Sequence, residues 1–311
     1  LTPEEIYPAQ VFLFPLLIAN IDVNGLRETL FMVFYLVGPF SGVVGVIPGL
    51  TQIRVNLRRI DQLIEELEAA SSEVDTTAPD TPELPPHSCL RLKQVVYSYT
   101  VLDEEKNERV EFTLGPVNAV IHSGQITYIT GGNGSGKSTL GKIITGMYKP
   151  EQGSIELNGK PCGCAELNGL FSAVYSDFHL FPKLYGVDVA QQRERIDELL
   201  RMMRIDNKIE LGEDGSINSQ NLSAGQRKRL AFVVCCLDQK PFVLFDEWAA
   251  EQDPEFREYF YTKLLPELRR QGKGVLVITH DDRYFGLADQ MIKLERGQVV
   301  SAGEVQPRTA E

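Results

Sequence analysis

Positive charge is what this sequence has too little of. Its 31 Lys and Arg face 43 Asp and Glu, for a net charge of −12. A surface that grips a nucleic-acid backbone needs clustered cations, so the balance argues against such a partner. It does not exclude a nucleotide, because a loop of backbone N–H groups can hold phosphates. Cysteine is sparse and unpatterned. Cys89, Cys162, Cys164, Cys235 and Cys236 are odd in number and fit no disulfide framework, which suits a reducing compartment. Cys235 and Cys236 lie in an apolar run and read as buried, inert thiols. Cys162 and Cys164 fall short of the four ligands a structural zinc site takes. No basic stretch with an apolar core and cleavage site opens the chain, so no signal peptide is read. No internal repeat is found. The first residue is Leu1, and the sequence is expected to begin inside a longer protein.

Charge is missing altogether from residues 30–50, LFMVFYLVGPFSGVVGVIPGL. At 1.5 Å per residue this run reaches about 31 Å, near the thickness of a bilayer's hydrocarbon. Gly38, Pro39, Gly42, Gly45, Pro48 and Gly49 weaken a soluble helix but are tolerated in a membrane helix. The run is therefore expected to be a transmembrane helix. Residues 11–21 are too short to span alone and read as a partial span. Arg54, Arg58 and Arg59 follow the run, whereas Arg27 before it is offset by Glu28. The positive-inside bias places the C-terminal side in the cytoplasm. Residues 54–70 carry apolar and charged residues at helical spacing, as a helix continuing into water. Residues 71–87, rich in Pro, Ser, Thr and acids, read as a linker.

From residue 88 the composition becomes that of an α/β domain. Strand-like QITYIT, PFVLFDE and GVLVITH alternate with helical runs, as in a sheet covered on both faces. Gly131-Gly132-Asn133-Gly134-Ser135-Gly136-Lys137-Ser138, followed by Thr139, fits the P-loop pattern between a strand and a helix. Its glycines let N–H groups turn toward phosphates, Lys137 neutralises the β- and γ-phosphates, and Ser138 offers a hydroxyl to Mg²⁺. A P-loop calls for acids at the end of an apolar strand, and FVLFDE supplies them. Asp246 is expected to hold the Mg²⁺ shell, and Glu247 to orient or deprotonate the attacking water.

Between these motifs lies Leu222-Ser223-Ala224-Gly225-Gln226, ahead of an apolar helix. This run resembles the LSGGQ signature of ABC ATPases, with Ala224 replacing one glycine. The resemblance covers roughly residues 88–300, with the motifs in family order. It implies an α/β P-loop NTPase cassette preceded by α-helical transmembrane segments, cofactors ATP and Mg²⁺, and a second cassette as partner. Ser223, Ala224, Gly225 and Gln226 would meet the ATP held by that partner, in a homodimer. By the same resemblance Tyr99 is the aromatic that stacks on adenine, His280 contacts the γ-phosphate, and Asp253 meets the other cassette. Ala250 stands where that last loop usually has Ser. Ser176 stands where the family has a metal-sensing Gln, with Asp177 beside it as a substitute.

The runs FTLGPVNAVIHSGQITYITGGNGSGKST, SDFHLF and DEWAAEQDPEFR are similar to bacterial exporters of cyclic peptides and siderophore precursors. That likeness implies an ATP hydrolase in the cytoplasmic (inner) membrane, with its ATPase domain in the cytoplasm, in contact with lipid and with a transported small molecule or peptide. The expected organisation is residues 1–70 as the end of a transmembrane domain, 71–87 as linker and 88–311 as cassette. The competing readings are an ABC ATPase doing mechanical work on nucleic acid or ribosomes, and a regulatory module that binds ATP without cleaving it.

Overall fold

The computed structural model describes residues 88–103, 108–219 and 222–305, with scattered positions between 25 and 85. The chain divides into two units, Leu1–Asp75 and Thr76–Glu311. In the first, residues 52–61 are helical, and Ile53, Val55, Leu57 and Ile60 are exposed. Among the described residues no helix is long and apolar enough to cross a membrane. The span expected over 30–50, the partial span over 11–21 and the linker over 71–87 lie largely outside the described residues.

The second unit opens with two long antiparallel strands, β1 (Cys89–Asp103) and β2 (Glu108–His122). Then come β3 (Ile126–Gly131), α1 (Lys137–Ile144), β4 (Gln152–Leu157), β5 (Lys160–Pro161), α2 (Cys164–Leu170) and β6 (Phe171–Val174). The helical middle holds α3 (Val189–Met202), the short pair β7 (Ile209–Leu211) and β8 (Ile217–Ser219), and α4 (Ala224–Leu237). After it follow β9 (Phe242–Asp246), α5 (Pro254–Tyr259), α6 (Leu265–Arg270), β10 (Gly274–Ile278), β11 (Gln290–Glu295) and β12 (Gln298–Glu304).

A six-stranded sheet, ordered β12-β11-β3-β10-β9-β6, forms the centre. Strands β11, β3, β10, β9 and β6 run parallel, and β12 closes the edge antiparallel. The parallel strands explain the short apolar runs: both faces are covered, so period-2 alternation disappears. β9 and β10 are buried at every position. One core lies against α3, α4 and α5, around Phe232, Phe245, Trp248 and Phe260. The other lies under α1 and the antiparallel sheet β2-β1-β4-β5, around Leu92, Leu114, Ile143 and Leu244. Consecutive parallel strands force every crossover to leave from the C-terminal edge. That edge therefore collects the ends of β3, β6, β9 and β10, and with them the predicted motifs.

No disulfide joins the five cysteines, and Cys235 and Cys236 are buried. Burial pushes the Cys236 thiol up to about 12 and that of Cys235 well above its ordinary value. Neither is a thiolate at neutral pH, so both behave as small apolar groups.

Candidate active site

The P-loop joins β3 to α1. Gly136 caps the helix at φ 96°, a left-handed conformation that glycine adopts without steric penalty. No side chain caps α1. Its first-turn N–H groups thus face outward at the positive end of the helix dipole, where an anion is favoured. Lys137 is buried, and its Nζ donates to the carbonyls of Gly131 at 3.0 Å and Gly132 at 2.9 Å. The ammonium is held over the loop rather than waving in solvent.

Asp246 ends β9 and is 1% exposed. Neither of its carboxylate oxygens has a hydrogen-bond partner among the described residues. Burial raises its pKa, while the Ser138 hydroxyl and the Lys137 charge pull it down, and Glu247 and Asp177 push it further up. A buried carboxylate steadied only by the nearby Ser138 hydroxyl and the Lys137 charge is costly. Beside the Ser138 hydroxyl, it is the oxygen-donor set that a hard divalent cation takes. The residues present therefore fit Mg²⁺, with Asp246 and Ser138 as its protein-side holders.

This arrangement carries a stability consequence. Asp246→Asn is expected to raise the melting temperature of the nucleotide-free chain at neutral pH by roughly 2–6 °C. It should also remove the extra stabilisation that Mg²⁺ adds on top of ATP. Because the native pKa is raised, the carboxylate's burden is present at neutral pH and relieved as falling pH protonates it. The gap between variant and parent should thus shrink toward acid pH. Melting curves over pH 5–8 check this, and a variant that melts lower at pH 7 would contradict it.

Glu247 follows at φ 48° and ψ 33°, a left-handed backbone costing a non-glycine residue roughly 1–2 kcal/mol. Its N–H donates to Ile278 O at 3.0 Å, which ties it to the end of β10. Its Oε1 lies 3.7 Å from His280 Nδ1. Both line one cavity with Ala250, Arg257, Thr279 and Asp281. Arg257 donates to the carbonyls of Ala249, Ala250 and Gln252 at 3.2, 3.2 and 3.3 Å, so one guanidinium shapes the whole turn after Glu247. Tyr99, on β1, is exposed. Its ring tilts against Phe112 at 5.3 Å, and its hydroxyl accepts from Thr139 Oγ1 at 3.4 Å. An aromatic face thus stands at the P-loop helix.

Ser223 and Gln226 are arranged differently from a free binding turn. Gln226 N–H donates to Ser223 Oγ at 3.2 Å, and Ser223 N–H donates to Gln226 Oε1 at 3.1 Å. The pair forms a capping box that starts α4. Gly225 packs so tightly that an added Cβ would come 2.8 Å from Glu251 O. No hydrogen bond among the described residues joins Ser223, Ala224, Gly225 or Gln226 to this chain's own P-loop. Asp253 is engaged within the chain, accepting from Phe256 N–H at 2.9 Å as the cap of α5 and pairing with Arg229 at 2.6 Å. The cap bond to Phe256, with Arg229, holds its carboxyl below the usual range. Ser176 lines a groove with His179, Ala224, Arg227 and Glu251, while Asp177 is near enough to Asp246 to raise its pKa.

The structure thus brings Tyr99, Gly131 to Thr139, Asp246, Glu247, His280 and Asp177 to one edge of the sheet. The signature turn makes no hydrogen bond to the P-loop among the described residues, although Ala224 lines a groove with Ser176. Sequence reasoning missed Lys228, Trp248 and Arg257. Lys228 sits inside the basic run RKR, which reads as a solvated face, and nothing local marks it as 2% exposed.

Residues 114–250 match the family model described as ABC transporter. The chain belongs to the ABC transporter family. Residues 114–250 are an ABC-type cassette. The chain is 38% identical over 292 residues to the ATP-binding protein SyrD of Pseudomonas syringae pv. syringae, covering 91% of this chain and 51% of SyrD. The ATP-dependent lipid A-core flippase of Vibrio vulnificus is 30% identical over 69% of this chain and 38% of its own length. The chain therefore spans about half of SyrD and less of the flippase. Among solved structures, the dimeric post-hydrolysis state of the ATP-binding cassette MJ0796 bound to ADP and Pi superposes with a TM-score of 0.57. It is 26% identical and covers 70% of this chain and 99% of that one.

Proposed function

We propose that this cassette powers ATP-driven export of a peptide-like or siderophore-like compound across the cytoplasmic membrane, as one half of a homodimer. The observation that carries the reading is the pairing of a built hydrolysis edge with a signature turn that makes no hydrogen bond to it among the described residues. One chain holds phosphates at Gly131 to Thr139 and water at Glu247; the Ser223 turn is left to serve a second copy. The dimeric MJ0796 cassette supports that pairing. The likeness to a lipid flippase supports movement of an amphipathic cargo, and the match to SyrD, which extends beyond the cassette, supports residues 1–70 as the end of a transmembrane domain.

The chemistry is phosphoryl transfer to water. The α1 amides and Lys137 take the β- and γ-phosphates, so Lys137 exchanges two carbonyls for phosphate oxygens. Tyr99 stacks on the adenine. Bound Mg²⁺ would neutralise charge on the phosphates, held through Ser138 and Asp246. Glu247 orients the water in line and accepts its proton at Oε1. His280, 3.7 Å away, steadies the γ-phosphate side of the same cavity. Ser176 would reach a bound metal only through water, and Asp177, which raises the pKa of Asp246, would take over that role. The second copy's Ser223, Ala224, Gly225 and Gln226 close over the γ-phosphate with the N-terminal amides of α4, and Asp253 lies beside that contact. Hydrolysis weakens the closed pair, and that difference in affinity moves the membrane helices.

The membrane reading has a direct test. The complete reading frame, expressed in bacteria, is expected to stay in the membrane pellet after alkaline carbonate washing. Full release by carbonate would overturn the integral-membrane assignment and leave a peripheral ATPase.

A further inference from the structure

Outside the phosphate site, the least ordinary group in the cassette is Lys228. It is a lysine only 2% exposed, on the second turn of α4, and lysines are almost never fully buried unless paired. Its Nζ donates to the backbone carbonyl of Glu247 at 2.9 Å and pairs with Glu251 Oε1 at 3.2 Å. The contact is reciprocated: Trp248 Nε1 donates to the Lys228 carbonyl at 2.8 Å. Trp248 is fully buried and stacked on Phe260 at 4.5 Å, so its indole is a fixed post. Two hydrogen bonds running in opposite directions thus clasp the signature helix to the two residues that follow Asp246.

The clasp falls where the backbone most needs holding. Glu247 sits in the left-handed region, and such a conformation persists only when its surroundings over-determine it. Its N–H is tied to Ile278 O, and its carbonyl accepts from Ala250 N–H at 3.3 Å and, more closely, from Lys228. Without the ammonium, only the longer Ala250 bond holds that carbonyl, and the peptide after Glu247 can rotate more readily toward an ordinary conformation. The carboxylate would then leave the cavity it shares with His280.

We propose that Lys228 is a positioning residue for ATP hydrolysis: its buried ammonium holds the Glu247 carbonyl, so the helix that begins at the signature turn sets where the Glu247 carboxylate points. The proposal rests on the reading of Glu247 as the group that orients water. A cassette whose α4 is correctly seated therefore has its water-orienting carboxylate aimed, and one whose α4 is displaced does not.

The test uses the full chain. Lys228→Met fills the same space without a donor. Its kcat for ATP hydrolysis is expected to fall roughly 10–100-fold, the scale of a misplaced catalytic group, with the Kd for ATP in Mg²⁺ within about threefold of the parent. Lys228→Arg keeps charge and donor and should recover most of kcat. Residues that act as one unit are non-additive, so Lys228→Met added to Glu247→Gln should leave the residual rate of Glu247→Gln unchanged. Multiplied losses in the double variant would mean a merely structural role and overturn the proposal, as would a parental kcat for Lys228→Met. If the Met variant melts below the assay temperature, Lys228→Gln, whose amide is too short to reach the carbonyl, is read by the same criteria. If Glu247→Gln itself hydrolyses ATP at the parental rate, the water-orienting reading fails first; if it is inactive and Lys228→Met is not, the positioning proposal alone fails.

Discussion

Glu247→Gln should bind ATP as the parent does and cut turnover by roughly 10²–10⁴-fold, the usual contribution of a positioned general base. The amide keeps the size and the left-handed backbone of the side chain's anchor, because the fixed points are the Glu247 N–H to Ile278 and the carbonyl bond to Lys228. What it loses is the ability to take a proton. With hydrolysis blocked and Mg²⁺·ATP bound, copies should accumulate as pairs, seen as a shift to the dimer in size-exclusion chromatography that ADP does not produce. Turnover at the parental rate would remove Glu247 from the mechanism. Turnover lost without any ATP-dependent pairing would remove the second copy from it.

Lys137→Ala should act one step earlier, on binding. The parent's ammonium already donates to Gly131 and Gly132, and on ATP binding it is expected to trade these for phosphate oxygens. A charge-assisted bond is worth about 1.5–3 kcal/mol, so the variant should lose roughly 10–100-fold or more in affinity for ATP. Titration with a fluorescent ATP analogue in Mg²⁺ measures it. The variant should still fold, because α1 keeps Leu140, Ile143 and Ile144 in the core. Unchanged affinity would mean that the phosphates are held elsewhere.

Much of the site was legible in the sequence because its parts are local. A P-loop is a strand, a glycine turn and a helix start in one short run, and the structure has β3, Gly136 at positive φ and α1 in that order. The apolar run ending in Asp246 and Glu247 was equally local, and β9 ends on Asp246. The capping pattern at Ser223 and Gln226 was present in the letters too, three residues apart, but was read only as a binding turn; the structure adds that the two side chains satisfy each other. What the sequence hid is what depends on long-range packing. Lys228 and Glu251 are far apart in the chain, and their pairing follows from α4 lying against the turn after β9. Arg257 reads as an ordinary helical arginine until its three carbonyl partners are in place. Tyr99 was identified by resemblance alone, since a tyrosine on a strand is most often packing; its reach to Thr139 comes from pairing β1 with β2 above α1. The charge-free run over 30–50 is plain in the letters and lies largely outside the described residues.

The bare carboxylate of Asp246 ties the lifetime of the molecule to its fuel. Whatever binds only the folded form adds to its stability by mass action, and here the cation-nucleotide pair also relieves a burden built into the interior. Copies without nucleotide and cation are therefore expected to open more often than loaded ones, and limited proteolysis with and without Mg²⁺·ATP would read that difference.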